Sequence, residues 1–541
     1  METIVKIKLF SAVSAAALAA LAAPAPAQHA GHGTHAPAKP AAKKPAVKKK
    51  PAVKKAPAKK VPAKRASAKT APAKKAPVKK APAKKAAAPE PPQPQPAPDH
   101  SQMDHSTMDH GSMPVPPEPS PSSPVDHSQM DHGAMDHGAT ASAGHGDHAA
   151  MLGALGPYPM TREASGTAWQ PDASEHMGLM TGRGEWSFMA HGAVNLVYDR
   201  QSGRRGDDMA FISGMVMGMA RRPLGNGTLQ FRAALSPDPL MGKRGYPLLL
   251  ASGETANGVD RLIDRQHPHD FFMELSASAS QNIGPRSSVF LYAALPGEPA
   301  FGPPAFMHRE AILDSPEAPI THHWLDSTHI SFGVLTGGLV LDRIKVEVSR
   351  FNGREPDEHR WNIETGPLDS TAARLSWNPT AELSLQGSWG RFIEPEQLEP
   401  GVDQTRWSAS ALYAREIAPG WKLAGTLAWG RKSIKDHHGD SLNDDAFALE
   451  ASLKHGPWTV FGRGEMTENR ELIELDGEEH GPAFRVGKMS FGAVRDFRVA
   501  DHLSLGVGGL LAVNFVPEEL ASLYGSDNPS GAMAFVRLKV D

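Results

Sequence analysis

Apolar and polar residues alternate along much of the chain downstream of about residue 180. In the segment 186–198, WSFMAHGAVNLVY, Trp186, Phe188 and Tyr198 fall on one side of an extended chain, and His191 and Asn195 fall on the other. A period of two is typical of a β-strand with one apolar and one polar face. The same alternation returns in 383–389, 407–413, 421–429, 458–462 and 503–513. The pattern predicts an all-β body with almost no helix.

The strands of this body have the length and the boundaries of membrane-crossing strands. Turn signals at Asn226-Gly227, Pro419-Gly420 and 455–457 separate segments of about nine to twelve residues, which suits a tilted crossing of a bilayer. Aromatic residues stand at strand ends, where interfacial girdles lie. We therefore predict an antiparallel outer-membrane β-barrel of about 14–16 strands, rather than a soluble sandwich or propeller. The ending FVRLKVD departs from the aromatic last residue that is usual in such barrels.

The first 27 residues predict export. Lys6 and Lys8 precede an Ala-rich apolar run, and Ala25-Pro26-Ala27 gives a small-residue exit, as in a cleaved signal peptide. The chain has no cysteine, so His, Met and carboxylates are the metal ligands it offers. A net charge of -2 gives no global field for nucleic acid, and we expect no nucleic-acid partner.

Residues 28–98 form a spacer dominated by Ala, Lys and Pro. Proline interrupts helix and the lysine pairs repel one another, so the segment is predicted to be disordered and extended. Its composition favours a solubilising role. The alternative is cell-wall contact, through an anionic polymer or lipid head group that attracts the lysines.

Residues 99–150 carry the most distinctive chemistry of the chain. The stretch DHSQMDHSTMDHGSM begins at Asp99, and DHSQMDHGAMDHG repeats it from Asp126. The five-residue interval matches neither helix nor strand, so the tract is predicted to be a disordered chelating arm. Imidazole and thioether together favour copper, with thioether preferring Cu(I) and imidazole accepting Cu(I) or Cu(II). The predicted ligands are His100, Met103, His105, Met108, His110, Met113, His127, Met130, His132, Met135 and His137.

The predicted barrel, residues 151–541, holds further candidate ligands. His267 and His269 form a His-x-His pair before a strand, and His322 and His323 lie in a long irregular region from Pro296 to Thr328. Two interpretations remain open: polar loops that contain histidine by chance, or a second metal-handling cluster on the rim or on a loop folded into the lumen.

Four methionines in the body share one strand face. Met209, Met215, Met217 and Met219 have the same parity. Apolar packing or lipid contact is the commoner role of such a row, and a thioether ladder along a permeation path is the alternative.

The signal peptide, the DHSxMDHGxM tract and the following barrel together resemble the copper-resistance outer-membrane protein B family (CopB or PcoB type). The resemblance implies copper tolerance in a Gram-negative cell, with the barrel in the outer membrane and the arm on the periplasmic side. Copper ions would then be bound as cargo, outer-membrane lipid would surround the barrel, and periplasmic copper carriers would exchange metal with the arm.

The sequence thus predicts an outer-membrane copper-binding protein that contributes to copper resistance by periplasmic sequestration or export. A general diffusion porin with an incidental His/Met arm is the alternative. No nucleophile and base, phosphate loop or paired catalytic carboxylates with suitable spacing are recognisable in the sequence, so we expect a non-enzyme. A hydrolytic site at the rim, near His267 to His329, is the third hypothesis, and substitution of His308, His322 and His323 by alanine would test it.

Overall fold

A computed structural model describes residues 151–175, 178–435, 441–473 and 481–540. The chelating arm, the spacer and the signal peptide lie outside these residues. The strands are β1 (Leu179–Arg183), β2 (Trp186–Gln201), β3 (Asp208–Leu224), β4 (Gly227–Leu235), β5 (Tyr246–Thr255), β6 (Arg261–Gln266), β7 (Phe272–Gly284), β8 (Ser287–Ala294), β9 (Val334–Leu341), β10 (Ile344–Phe351), β11 (Ser370–Trp377), β12 (Leu383–Phe392), β13 (Gln404–Ala418), β14 (Trp421–Lys435), β15 (Ser441–His455), β16 (Trp458–Asn469), β17 (Phe484–Ala500), β18 (Leu503–Phe515) and β19 (Ser530–Val540).

The strands close into an antiparallel barrel. Within the described ranges, β2–β4 and β7–β19 form a ring of sixteen strands, in which β19 pairs with β2 from Gly531↔Gln201 to Val540↔Gly192. The short strand β1 pairs with the first residues of β2, beyond the end of β19. The all-β barrel and its predicted strand number are confirmed.

Short turns at one end of the barrel fall where the sequence predicts them. Gly420 lies between β13 and β14 with φ +74°, and Gly456 lies between β15 and β16 with φ +55°. Glycine adopts this left-handed backbone without the steric cost of a Cβ atom. The loops at the opposite end are longer, and the barrel therefore has a short-turn end and a long-loop end.

The outer surface is apolar. Side chains exposed on the wall include Leu196, Leu291, Leu427, Leu449, Phe491 and Leu511. Trp421 and Trp458 begin strands at the short-turn end, and Trp377 ends one there. An apolar band bordered by aromatic residues is what a barrel exposes to lipid. Some strands are longer than the nine to twelve residues predicted: β14 continues to Lys435, so Trp429, the last residue of the alternating segment 421–429, lies within the strand and not at its end.

Three segments of the chain lie inside the barrel. The alternation of apolar and polar residues in the sequence does not distinguish them from the strands of the wall. Residues 151–175 lie inside the short-turn end, where Ala154 and Leu155 accept hydrogen bonds from the inward-facing Ser280 (2.7 Å) and Ser288 (2.6 Å). The hairpin β5–β6 and the loop 295–333 enter from the long-loop end. The predicted barrel, 151–541, therefore includes internal segments as well as wall.

Apolar packing holds the hairpin, and ion pairs hold the loop. Leu248 is buried among the inward-facing Phe211, Phe461 and Phe535. Arg309 of the loop pairs with Glu450 of β15 at 2.7 Å, and Glu317 pairs with Arg463 of β16 at 3.3 Å. Among the helices within the described ranges, none has the combination of length and apolar character required to cross a bilayer.

Candidate metal site in the lumen

Three histidines from separate parts of the chain meet inside the barrel. His269 lies between β6 and β7, His322 begins the short helix His322–Leu325, and His329 ends the 3-10 turn Ser327–His329. One ring nitrogen from each lies within 4.8 Å of the others. The side chains of all three are buried. We call these residues the histidine trio.

Hydrogen bonds fix which nitrogen each ring presents. Nδ1 of His269 bonds the Asp238 carboxylate at 2.8 Å, Nδ1 of His322 bonds the Asp326 carboxylate at 2.8 Å, and Nδ1 of His329 donates to the Asp326 backbone oxygen at 2.7 Å. Nε2 is therefore the nitrogen left for a ligand. Nε2 of His269 and Nε2 of His329 are buried without a hydrogen-bond partner among the described residues.

This arrangement has the features of a metal-ligating histidine cluster. Metal-bound histidines usually donate their second ring nitrogen to a carboxylate or a backbone carbonyl, which fixes the tautomer and raises ligand basicity. An ion that forms bonds of about 2.0–2.1 Å to imidazole nitrogen would draw the three nitrogens closer together.

The surroundings of His322 and His329 favour the neutral ring, which is the form that binds metal. Burial lowers the pKa of His329 well below its usual value, and the neighbouring His269 and His322 lower it further. Burial also lowers the pKa of His322, against the opposing attraction of Asp326. The ring of Phe306 packs against His269 and His322.

The other two histidines predicted as ligands lie close by but have different partners. His267 Nε2 lies 3.0 Å from Glu254, which also binds Arg360. His323 Nδ1 lies 3.2 Å from Glu355. Burial opposes protonation of His323, but Glu355 raises the pKa of this ring to about 9. His323, Glu355 and Glu396 therefore form a charged network with Arg406, 3.4 Å from Glu396, and not an empty ligand set.

A cavity of about 200 Å³ adjoins the trio. Its lining includes His269 of the trio and the neighbouring His267, and a further group of His191, Met215, Met217, Met219 and His308. Its lining also includes Lys422 and Lys454, which lie beside turns of the short-turn end. The cavity therefore extends from the trio towards that end of the barrel.

The structure answers part of the sequence hypotheses. The loop that carries the predicted histidines is folded into the lumen, and His267, His269, His322 and His323 are buried, not exposed on a rim. Of the histidines in other loops of the body, His359 is exposed beside Asp357, whereas His437 and His438 lie outside the described residues. So do all the predicted ligands of the arm, from His100 to His137.

Some residues of the site have a weak sequence signal or none. Asp238 has none, because nothing in the local sequence links it to His269. His191 has one, since it is a histidine on the polar parity of a strand that pairs with a strand carrying methionines. His329 lies in the same loop as the predicted ligands His322 and His323. It is not adjacent to them in sequence, so the sequence does not indicate that its ring meets that of His322.

Comparison with known proteins gives structural similarity alone. No protein-family model matches the chain, and no curated protein matches it. Among solved structures, the chain is similar to an anion-selective porin from Comamonas acidovorans (13% identity, 66% of this chain and 100% of that chain, TM-score 0.38). It is also similar to OmpF of Salmonella typhi in complex with daunomycin (10% identity, 67% and 100%, TM-score 0.41) and to a porin refined at 1.8 Å (13% identity, 65% and 99%, TM-score 0.36). The barrel assignment depends on the strand pairing of the chain itself.

Proposed function

We propose that this protein is an outer-membrane barrel that binds copper ions in its lumen and on its N-terminal arm, and so contributes to copper resistance and homeostasis. The observation that carries the proposal is the histidine trio, in which every Nδ1 atom is hydrogen-bonded and one ring nitrogen of each residue lies within 4.8 Å of the others. The proposal agrees with the family resemblance of the arm. The outer membrane is the site proposed for the barrel, because its outer surface is apolar and bordered by aromatic residues.

The donor chemistry favours copper over zinc as the physiological ion. Three imidazoles alone would accept either metal. The adjoining cavity adds thioethers from Met215, Met217 and Met219, and the arm repeats His and Met at fixed intervals. Thioether is a soft ligand that zinc seldom takes and Cu(I) prefers.

The position of the cavity supports loading from the periplasm. Outer-membrane barrels place short turns on the periplasmic side and long loops outside the cell. The cavity reaches the short-turn end beside the internal segment 151–175, whose Glu163 and Glu175 line it, whereas the hairpin β5–β6 and the loop 295–333 occupy the long-loop end. Ions captured by a periplasmic arm would thus have access to the trio, which serves sequestration or, if the loop moves, export.

A four-way comparison tests the proposal. Wild type, a chain lacking Asp99–His148, the double variant His269→Ala/His322→Ala and the combined variant would be purified, loaded with copper and dialysed against a competing chelator. We expect the arm deletion to remove most of the copper and the double variant to remove about one further ion per chain. Cells expressing each chain would then be grown on a copper series. Retention of wild-type copper and tolerance by the combined variant would refute the proposal.

The general porin remains the alternative. It predicts a conductance in planar bilayers that neither copper nor loss of the arm changes. The segments within the lumen weigh against a wide pore, since Arg309, Glu317 and their partners hold the loop across it. A large constant conductance of the wild-type chain, together with unchanged copper tolerance on deletion, would favour this alternative.

A further inference from the structure

A second group of soft donors lies in the cavity beside the trio. In the β2–β3 register, His191 stands directly opposite Met217. Directly opposed residues on one face of an antiparallel pair have Cβ atoms about 4.5–5.5 Å apart. Met215 and Met219 flank Met217 on the same face of β3, and all three line the cavity.

The loop 295–333 brings another imidazole to this place. The ring centroids of His191 and His308 are 6.1 Å apart, in an edge-to-face arrangement. Both rings line the cavity, together with Met307 of the same loop. The row of methionines thus faces the lumen and not the lipid, and it faces histidine.

These two histidines differ from the others buried in the lumen. His267, His269, His322, His323 and His329 each use a ring nitrogen in a hydrogen bond or an ion pair. In the described part of the chain, the ring nitrogens of His191 and His308 have no such partner. Burial and, to a smaller extent, the Arg232 charge together lower the pKa of His308 to about 4. With no hydrogen-bond partner on either ring nitrogen among the described residues, the ring is free to coordinate.

The donor set favours Cu(I). Imidazole with thioether is the combination that selects Cu(I) among biological metals. Arg232, which pairs with Glu274 at 2.8 Å, lines the same cavity. Its positive charge repels a divalent ion twice as strongly as a monovalent ion.

We propose that His191, His308 and Met217, completed by Met215 or Met219, form a second metal site that is selective for Cu(I) over divalent ions. This proposal deepens the proposed function and rests on it, because it assigns an oxidation state to copper in the lumen. The trio would take either oxidation state, whereas the second site would retain the reduced ion alone.

Anomalous diffraction from crystals of the full chain separates the two sites. Crystals would be soaked in Ag(I), an air-stable substitute for Cu(I), and in parallel in Zn(II). We expect an Ag(I) peak bounded by His191, His308 and Met217, and a Zn(II) peak at the trio alone. The variant Met217→Leu, which nearly conserves volume, should lose the Ag(I) peak in the cavity and retain Zn(II) at the trio.

Met209→Leu is the matched control, since Met209 has the same strand and parity but lies outside the cavity lining. It should retain both peaks. Absence of Ag(I) from the cavity of the wild-type chain, or an Ag(I) peak that persists unchanged in Met217→Leu and in His191→Ala, would overturn the second site. An empty trio with Ag(I) still in the cavity would contradict the proposed function and leave the second site standing.

Discussion

The carboxylate of Asp326 bonds Nδ1 of His322 at 2.8 Å through one oxygen, and its other oxygen pairs with Arg309. The backbone oxygen of the same residue accepts a hydrogen bond from Nδ1 of His329 at 2.7 Å. Asp326 therefore orients two of the three rings of the trio and also links them to the ion pair between Arg309 and Glu450 that anchors the loop. It is a positioning residue, not a ligand.

Replacement of Asp326 by asparagine should weaken metal binding without abolishing it. The amide oxygen still accepts the Nδ1 hydrogen of His322, but the negative charge that raises imidazole basicity is lost. We expect the affinity of the trio for Zn(II) to fall about 10- to 100-fold. The measurement is competition with a chromophoric chelator in the chain lacking Asp99–His148. Asp342→Asn, at an exposed turn, is the control, and equal affinities in the two variants would contradict this role.

Adjacent histidines should behave differently on substitution. His322→Gln should lower Zn(II) affinity by about 100-fold, since it removes a ligand. His323→Gln should change the affinity by no more than about twofold, because His323 is paired with Glu355 outside the trio. The same chelator competition measures both. If the two variants lose affinity equally, His323 is a ligand and the assignment of the trio is wrong.

The wall of the barrel could be predicted because its signal is local. A residue such as Leu427 faces lipid while its neighbour Ala428 faces inward, and this alternation persists along the strand. Glycines such as Gly420 mark where a strand must turn. The signal fails for β5, whose YPLLLA run is buried on both faces because it packs inside the lumen. Local pattern does not separate a wall strand from an internal hairpin.

The candidate site was predictable in its residue types but not in its grouping. Histidines in a long loop indicate metal chemistry, yet His322 and His323 have separate partners because the short helix directs the first towards Asp326 and the second towards Glu355. His269 meets them only because the loop folds into the barrel. Contacts of this kind depend on tertiary packing that a linear pattern does not encode.

The stability of the barrel should vary with pH through Glu298, at the start of the loop. Burial raises the pKa of Glu298 to about 7, although Arg374, 3.4 Å away, opposes the rise. The folded state thus binds this proton more tightly than the unfolded state, in which the pKa is near 4.5. The stabilisation is complete below pH 4.5 and is lost as pH rises through 7, by about 3 kcal/mol.

Glu298→Gln should remove this component, because the amide stays neutral at every pH. Guanidinium unfolding in detergent between pH 4.5 and 8 would measure the free energy of unfolding. We expect this free energy to fall less with rising pH in the variant than in wild type, and the difference should correspond to the release of about one proton. Glu185→Gln, an exposed residue paired with Arg222, is the control. Identical pH slopes for wild type and Glu298→Gln would exclude the effect.

Loss of Arg309 should loosen the loop that crosses the lumen. Arg309→Met leaves Asp326 and Glu450 as buried carboxylates without their shared cation, which costs about 3–5 kcal/mol. We expect frequent opening events and a higher mean conductance in planar bilayers, with the exposed Arg286→Met unchanged. Heat-modifiable migration on gels would verify that the variant barrel is folded.

Saturating Zn(II) should reverse part of this increase in conductance. A metal ion bound to His322 and His329 of the loop and to His269, which lies beside the hairpin, would hold the loop in place. Binding to the closed state alone stabilises that state by mass action. If Arg309→Met raises the conductance and Zn(II) does not lower it again, Arg309 anchors the loop but metal binding at the trio does not.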